Sequence, residues 1–380
     1  MACTARPQCR CQELRLNRSS FRRIWTIRLE GISSARRQRW GSGASMNLAY
    51  FHLHARPFRP TPDTSSYYPA ATHENALTKL IQAIADDEGL LVLTGAPGTG
   101  KTLVGHLLLA RLGDVAAAFI TNCRFASRAE LLRGMLFDLS QPHQGMNEQD
   151  MRFALTEYLL GNFARGQKSV ILLDEAQDLS PDLLEELRLL GNLESSRGKA
   201  VHVVLMGQPS LLESLRRPEL ASLQQRIGGR WQLEMLSLHE AADYLQHHIR
   251  VAGGNPEEVF SGEALSILAE RTAGVPRLLN QAAAACMALA ESVEAETIDA
   301  EVALEALTAL GYEMDNAEEA GELISAMPPA VPMAAVPEHL SRSGVGGKYR
   351  LGAELNNFRQ SVGPASVLHA DFGPQGLMES

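Results

Sequence analysis

Apolar positions along the first two thirds of the chain follow two periods. Short apolar runs typical of buried strands are EGLLVLTG before residue 96, VAAAFIT (115–121), SVILLDEA (169–176), VHVVLMG (201–207) and WQLEML (231–236). Helical periods separate these runs, from about His73, near 127–139 and 148–163, and over 181–190. Strands alternating with helices at this spacing predict an α/β fold, with a parallel sheet covered by helices on both faces.

The pattern changes after Ser237, where only helical periods remain. Helices are predicted at about 238–251, 262–272, 276–291 and 297–309. We therefore expect an α/β domain over 46–236, followed by a small all-helical domain over 237–310. The remainder, 311–380, is rich in Pro, Gly, Ser and Ala without a period, which predicts a mostly disordered tail.

The composition is that of a soluble globular protein, with 45% apolar and 21% charged residues among 380. Since no run of 18 apolar residues occurs, no transmembrane segment is predicted. The five cysteines lack the spacing of a disulfide framework or a zinc site, and Cys123 and Cys286 are expected to be small buried residues. His247 and His248 are adjacent on a predicted helix and point to different faces, which argues against a metal pair.

Positive charge is concentrated in residues 1–45, which hold ten Arg, no Lys and two Glu, whereas the whole chain carries −9. A basic arm for nucleic acid or membrane and an Arg-rich transit peptide are both compatible with this composition. We favour a third interpretation, in which translation starts at Met46, because patterned sequence begins just after it. Residues 1–45 would then be a non-native or disordered extension.

The segment GAPGTGKT, residues 95–102, fits the phosphate-loop pattern between a predicted strand and a predicted helix. Glycines let the backbone N–H groups curl around phosphate, and the helix that follows turns its positive end to the same anion. Lys101 is expected to reach the β- and γ-phosphates, and Thr102 to ligate Mg²⁺. The predicted nucleotide-binding residues of this loop are Gly95, Ala96, Pro97, Gly98, Thr99, Gly100, Lys101, Thr102 and Leu103.

The strand VILLDEA ends in two carboxylates. Asp174 is expected to hold the Mg²⁺ shell together with Thr102, and Glu175 to orient or deprotonate the attacking water. The alternative for Glu175 is an ordinary surface carboxylate at a strand end. Asp178 is interpreted as a charge or cap at the start of the next helix.

The acidic pair also occurs in helicases, and QQRIGGR (224–230) superficially resembles a helicase arginine motif. Arg226 lies 125 residues after Lys101, however, and two α/β lobes need about 300 residues at 100–200 per domain. No second sheet is predicted after residue 236. One α/β domain followed by a helical lid resembles the AAA+ plan instead.

Three polar residues acquire roles in that plan. Arg226 precedes the last predicted strand, where AAA+ proteins place a finger that reaches a neighbour's γ-phosphate; Arg230 is the substitute candidate, and an ordinary surface arginine is the alternative. Arg277, at the start of a lid helix, is expected to be the sensor-2 arginine. Gln208 follows the strand VHVVLMG and occupies the sensor-1 place, where its amide would position water.

The chain resembles the general secretion pathway protein A, or ExeA-like, AAA ATPases. The matching stretches are YFHLHARPFRPTPDTSSYYPAATHENALTKL, LTGAPGTGKT, VILLDEAQDLS, VLMGQPSL, LQQRI and AGVPRLLNQ, in the family's order over about residues 46–310. The resemblance implies ATP as the nucleotide and carries over the roles of Lys101, Thr102, Asp174, Glu175, Gln208, Arg226 and Arg277. It also places Pro57, Phe58, Pro62 and Asp63 near the adenine, unless they form only a packing strap.

Secretion proteins of this family continue into a membrane helix and a peptidoglycan-binding domain, neither of which is recognised here. The resemblance therefore implies a cytoplasmic, oligomeric AAA+ ATPase, either free or peripheral at the inner membrane. It would act as a switch on a protein client in a secretion, pilus or polysaccharide-export assembly. The alternatives are a DNA-binding ATPase of the MuB/TniB type in transposition, and a nucleotide-dependent adaptor with negligible turnover. Wide contact with DNA is disfavoured by the negative charge of residues 46–380.

Overall fold

The computed structural model describes residues 47–195 and 198–312. The basic segment 1–45 and all of the predicted tail beyond residue 312 lie outside the described residues. The described chain opens with two short 3₁₀ turns, Leu48–Phe51 and Thr64–Ser66, separated by a proline-rich stretch. Three prolines, at positions 57, 60 and 62, keep this stretch out of a helix because each lacks a backbone N–H.

The described chain as far as Leu233 alternates strands with helices, as predicted. Its helices are α1 (Ala71–Ala85), α2 (Lys101–Leu112), α3 (Arg128–Asp138), α4 (Glu148–Ala164), α5 (Pro181–Gly191), α6 (Ser210–Leu215) and α7 (Ala221–Gln224). Its strands are β1 (Leu90–Gly95), β2 (Ala116–Ile120), β3 (Ser169–Leu173), β4 (Glu194–Ser195), β5 (Gly198–Lys199), β6 (His202–Gly207) and β7 (Ile227–Leu233). The short α6 and α7 and the strands β4 and β5 were not predicted, because helices of four and six residues and strands of two residues are too short to show a period.

Five strands form one parallel sheet in the order β2-β3-β6-β1-β7. One face packs on α3, α4 and α5 and the other on α1 and α2, so the central strands β1, β3 and β6 are buried throughout. This explains their continuous apolar runs. The predicted α/β class is confirmed.

The last strand corrects one prediction. The expected strand 231–236 is wrong in extent, since β7 begins at Ile227 and ends at Leu233. Its first half reads IGGR because it is an edge strand with alternating exposure, and the ladder to β1 shifts register beside Gly228. The chain then leaves the sheet, and the N–H of Leu236 donates to the carbonyl of Gly274 at 3.0 Å.

Between β7 and residue 312, the end of the described chain, lie five helices. They are α8 (Leu238–Val251), α9 (Pro256–Val259), α10 (Gly262–Arg271), α11 (Pro276–Val293) and α12 (Ala300–Ala309). Ser237 and Glu240 close a capping box at the start of α8. The predicted helix 297–309 begins only at residue 300, because Ile298 forms a bridge with Phe260 and Asp299 caps the helix through the N–H of Val302.

The helices α8 to α12 enclose their own apolar core, which also takes in Phe51, Leu53 and Phe58 from the start of the described chain. A second link runs through Glu240, whose carboxylate accepts a hydrogen bond from the N–H of Ala71 at 3.1 Å. The N-terminal stretch therefore packs against the helical half, although it precedes the sheet in sequence.

Candidate functional site

The phosphate loop connects the carboxyl end of β1 to the start of α2. Gly98 and Gly100 have φ of 82° and 95°, values that residues with a side chain rarely adopt. The loop is closed by Thr99, whose hydroxyl donates to the carbonyl of Ala96 at 2.8 Å. The predicted residues 95–103 thus form a curled loop at a helix N-terminus, the arrangement that binds phosphate.

Lys101 lies inside this loop with 5% of its surface exposed. Its Nζ donates to the carbonyls of Gly95 at 2.9 Å and Ala96 at 3.2 Å. Burial lowers the pKa of Lys101, and the nearby carboxylates of Glu175 and Asp174 oppose that shift. The ammonium is therefore held at the loop by two neutral acceptors, which a phosphate oxygen can replace.

Asp174 directly follows β3 and is buried, and its N–H donates to the carbonyl of Ile120 at 2.8 Å. The Thr102 hydroxyl donates to Asp174 Oδ2, so the two predicted metal ligands are in direct contact. Burial raises the pKa of Asp174, while the hydrogen bond from Thr102 acts in the opposite direction. A hydroxyl and a carboxylate oxygen beside a phosphate loop suit Mg²⁺, which takes few protein ligands and shares phosphate oxygens.

Glu175 is half-buried and has a left-handed backbone, with φ 54° and ψ 38°. Its Oε2 accepts a hydrogen bond from Nε2 of Gln177 at 2.6 Å. The other end of the Gln177 amide, Oε1, accepts from the backbone N–H of Gln208 at 3.0 Å. Sequence reasoning missed Gln177. The signal that could have found it is a polar side chain two residues after the acidic pair, at the end of a central strand.

Gln208 lies where the sequence placed it, directly after β6 and next to β3 in the sheet. The contact that ties it to Glu175 is made by its backbone N–H through Gln177. The sensor-1 role of the Gln208 side-chain amide stays a prediction.

Arg277 lies in the first turn of α11, directly over the phosphate loop. Its backbone N–H donates to the carbonyl of Gly98 at 3.3 Å, and its side chain is exposed. Pro276 occupies the first helical position, where the missing N–H costs nothing. The structure therefore brings Arg277 to the site from the helical half, as the sensor-2 prediction requires.

Arg226, the predicted arginine finger, lies far from the phosphate loop of its own chain. It directly precedes Ile227, which pairs with Leu90 at the start of β1, whereas the phosphate loop begins at Gly95. With about 3.3 Å per residue, the two ends of β1 lie roughly 16 Å apart. Arg226 is exposed and lines a separate cleft of about 270 Å³ with Arg188 and Lys199. Arg230, the substitute candidate, is exposed on β7 and donates to the carbonyl of Gln224 at 3.4 Å.

The N-terminal stretch forms one wall of a 760 Å³ cleft beside the phosphate loop. Phe58, Pro62 and Asp63 line it together with Tyr244 and His248 of α8. Phe58 is also buried against His248, with ring centroids 5.6 Å apart. The stretch therefore packs as a strap and also faces a cleft large enough for a nucleoside, and its place near the adenine stays a prediction.

His73 connects this wall to the loop. Its Nε2–H donates to the carbonyl of Thr99 at 2.7 Å, and burial lowers its pKa. A neutral His73 thus fixes the phosphate loop from the N-terminal end of α1. Cys123 and Cys286 are buried, as expected, and burial raises the pKa of each thiol to about 12.

Within 47–195 and 198–312, no group of three or more His, Cys, Asp or Glu side chains is arranged to hold a metal ion. The helices of the same ranges include none with the length and apolarity needed to span a membrane.

Comparison with known proteins agrees with this geometry. Residues 84–215 match the family described as AAA domain. The chain is 38% identical to General secretion pathway protein A of Aeromonas hydrophila over 237 residues, which is 62% of this chain and 43% of that protein. It is 33% identical to the ATP-dependent target DNA activator B of Escherichia phage Mu over 148 residues, 38% of this chain and 44% of the phage protein. The chain thus spans less than half the length of these relatives.

Solved structures agree on the fold. The ORC2 protein of Aeropyrum pernix, in its ADPNP–ADP complexes, superposes with a TM-score of 0.51 at 15% identity. The superposition covers 62% of this chain and 66% of that one. Together with the phosphate loop, the acidic strand end and the helical half, these matches identify an AAA-type P-loop domain in a chain that is similar to general secretion pathway protein A and to the phage target DNA activators.

Proposed function

We propose that this chain hydrolyses ATP in an active site that a neighbouring copy completes. The observation that carries the proposal is a phosphate loop with its carboxylates at the carboxyl ends of the strands, together with an exposed arginine at the amino end of the edge strand β7. Lys101, Thr102, Asp174 and Glu175 converge at the carboxyl ends of β1 and β3. Arg226 is exposed at the amino end of β7, out of reach of its own loop.

Each side chain has a defined task in this proposal. Lys101 and the loop N–H groups bind the β- and γ-phosphates, and Glu175 orients the attacking water. Thr102 and Asp174 would hold Mg²⁺, which supplies neutralisation of phosphate charge. Arg226 of one copy stabilises charge on the γ-phosphate bound by the next, and Arg277 senses that phosphate from α11.

The first test is the specific ATPase rate of the full chain against protein concentration, with and without Mg²⁺. The rate is expected to rise with concentration, to require Mg²⁺ and to collapse in Arg226→Ala. A rate that is independent of concentration and unaffected by Arg226→Ala would overturn the shared site. Arg230→Ala is measured alongside, because Arg230 is the substitute candidate four residues later on β7, and a collapse there but not in Arg226→Ala would assign the finger to Arg230.

We further propose that hydrolysis drives an oligomeric switch on a protein client of an envelope assembly of the secretion, pilus or polysaccharide-export kind. The support is the similarity to general secretion pathway protein A, which extends beyond the AAA domain match. A cytoplasmic location, free or peripheral at the inner membrane, fits this role. Capture of partners by the Glu175→Gln form, which is expected to bind ATP without turnover, tests it: loss of the captured proteins in Lys101→Ala supports a nucleotide-gated client.

DNA binding is the second candidate, because the chain is 33% identical to a target DNA activator over 148 residues. The net charge of −9 disfavours wide phosphate contact. Fluorescence anisotropy with duplex DNA, measured with and without ATP, separates the two. ATP-dependent binding that weakens steeply with salt would favour the DNA function.

A further inference from the structure

We infer that Gln177 is a positioning residue that holds the Glu175 carboxylate against the backbone of the segment after β6. The inference rests on the proposed ATPase function and assigns a role that the predicted site lacked. Gln177 Nε2 donates to Glu175 Oε2 at 2.6 Å, and Gln177 Oε1 accepts from the N–H of Gln208 at 3.0 Å. One side-chain amide therefore bridges the carboxyl ends of β3 and β6.

The two partners dictate the orientation of this amide. A carboxylate only accepts hydrogen bonds, and a backbone N–H only donates them. Exchanging the oxygen and nitrogen of Gln177 would oppose two acceptors at one end and two donors at the other. Only a side chain with a donor and an acceptor at this reach can make both contacts, which glutamate or leucine cannot do.

Glu175 is held at its backbone as well as at its carboxylate. It precedes the 3₁₀ turn Ala176–Asp178, where the N–H of Asp178 donates to the Glu175 carbonyl at 3.0 Å. Its left-handed φ of 54° is costly for a residue with a side chain and persists only where the surroundings impose it. With its backbone fixed, the remaining freedom of Glu175 is in its side-chain torsions, which the Gln177 amide restricts.

Gly207 makes room for this bridge. A Cβ at Gly207 would lie 2.8 Å from Gln177 Oε1 and 3.0 Å from Leu211 Cδ2. Both are ends of flexible side chains, so Gly207→Ala should displace the amide without disturbing the strand. The bridge thus links the segment that carries Gln208 to the carboxylate of Glu175.

Steady-state kinetics test the role. Gln177→Leu keeps the side-chain size but removes both hydrogen bonds, and we expect kcat to fall at least about 10-fold with an unchanged Kd for ATP, because a misplaced group loses rate rather than affinity. Gly207→Ala should lower kcat in the same way, less severely. Equal kcat for Gln177→Leu and wild type, or a fall in kcat matched by lost affinity, would overturn the inference.

A double-mutant cycle in the absence of nucleotide separates this inference from the proposed function. Urea midpoints are measured for wild type, Gln177→Leu, Glu175→Ala and the double variant. Non-additive midpoint shifts are expected, since the two side chains touch. Additive shifts would overturn the link whatever the turnover. If the midpoint shifts are non-additive but the wild type does not hydrolyse ATP, the contact between the two side chains stands and the proposed function is overturned. The role of Gln177 in catalysis would then be overturned with it.

Discussion

The backbone N–H of Arg277 donates to the carbonyl of Gly98 at 3.3 Å, so the first turn of α11 rests directly on the phosphate loop. The contact is close because Gly98 has no side chain, and a Cβ there would lie 2.9 Å from Cβ of Arg277. A shift of the helical half would therefore displace the phosphate loop directly, because Arg277 and Gly98 are in contact.

The first prediction concerns Gly98→Ala. Its φ of 82° strains any side chain, and the new methyl would also push α11 off the loop. We expect a loss of about 1–3 kcal/mol in the free energy of unfolding together with at least about a 10-fold loss of ATP affinity. Urea unfolding and nucleotide titration measure the two. Gly113→Ala is the matched control, since Gly113 has φ 73° with nothing within 4 Å of its missing Cβ. ATP binding equally tight in both variants would contradict this account.

The second prediction uses the opposite positions of Arg226 and Glu175. Neither Arg226→Ala nor Glu175→Gln alone should hydrolyse ATP at more than about a hundredth of the wild-type rate. Mixed together, they should regain activity, because an intact Glu175 in one copy meets an intact Arg226 from the other. The ATPase rate of the mixture against mixing ratio is the measurement. A mixture that stays inactive while both variants still assemble would contradict a shared site.

The third prediction concerns an ion pair between α4 and α5, in which the carboxylate of Glu186 is buried and the side chain of Arg152 is 36% exposed. Arg152 binds both oxygens of Glu186 at 2.7 Å, and the Glu186 side chain is 1% exposed. Arg152→Ala would leave a buried carboxylate unpaired, so we expect a loss of about 3–5 kcal/mol in unfolding free energy. Chemical denaturation measures it. Arg124→Ala, which removes an exposed pair with Asp178, should leave the denaturation midpoint nearly unchanged. Similar losses of stability in Arg152→Ala and Arg124→Ala would show that burial of the carboxylate does not determine how much an ion pair stabilises the fold.

The fourth prediction is a pH dependence from His248. Burial lowers the pKa of His248 to about 4, with the Tyr244 ring 4.4 Å away. Below about pH 6.5 His248 binds a proton in the unfolded chain but stays neutral in the folded chain until the pH approaches 4. This contribution to stability is therefore complete above pH 6.5 and falls by up to roughly 3 kcal/mol as the pH drops toward 4.

Replacing His248 tests the sign of this effect. In His248→Leu the urea midpoint should fall less between pH 7 and pH 5 than in wild type. Burial also lowers the pKa of His73 and His202, so part of the slope should remain. His239→Leu is the control, because the His239 side chain is 86% exposed. An unchanged slope in His248→Leu would mean that His248 is solvated in the folded chain.

The class of fold and the phosphate-binding chemistry could be read from local sequence. Central strands of a parallel sheet are apolar on both faces, so the apolar run Val170–Leu173 predicts a strand. The acidic pair comes directly after this run, which places it at the carboxyl end of the strand. The loop from Gly95 to Thr102 depends on residues that are neighbours in the chain. Such features are local, and the backbone conformations they need restrict the residue types that can stand there.

Other features depended on which segments the fold brings together. The extent of β7 could not be read, because an edge strand with one exposed face and two glycines carries a weak period. The contact of Gly98 with Arg277 joins positions 179 residues apart in the chain. Gln177 gained a partner in Gln208 only because β3 and β6 are neighbours in the sheet, which no local pattern specifies. The distance of Arg226 from its own loop likewise follows from strand order and direction, because a parallel sheet separates the two ends of every strand.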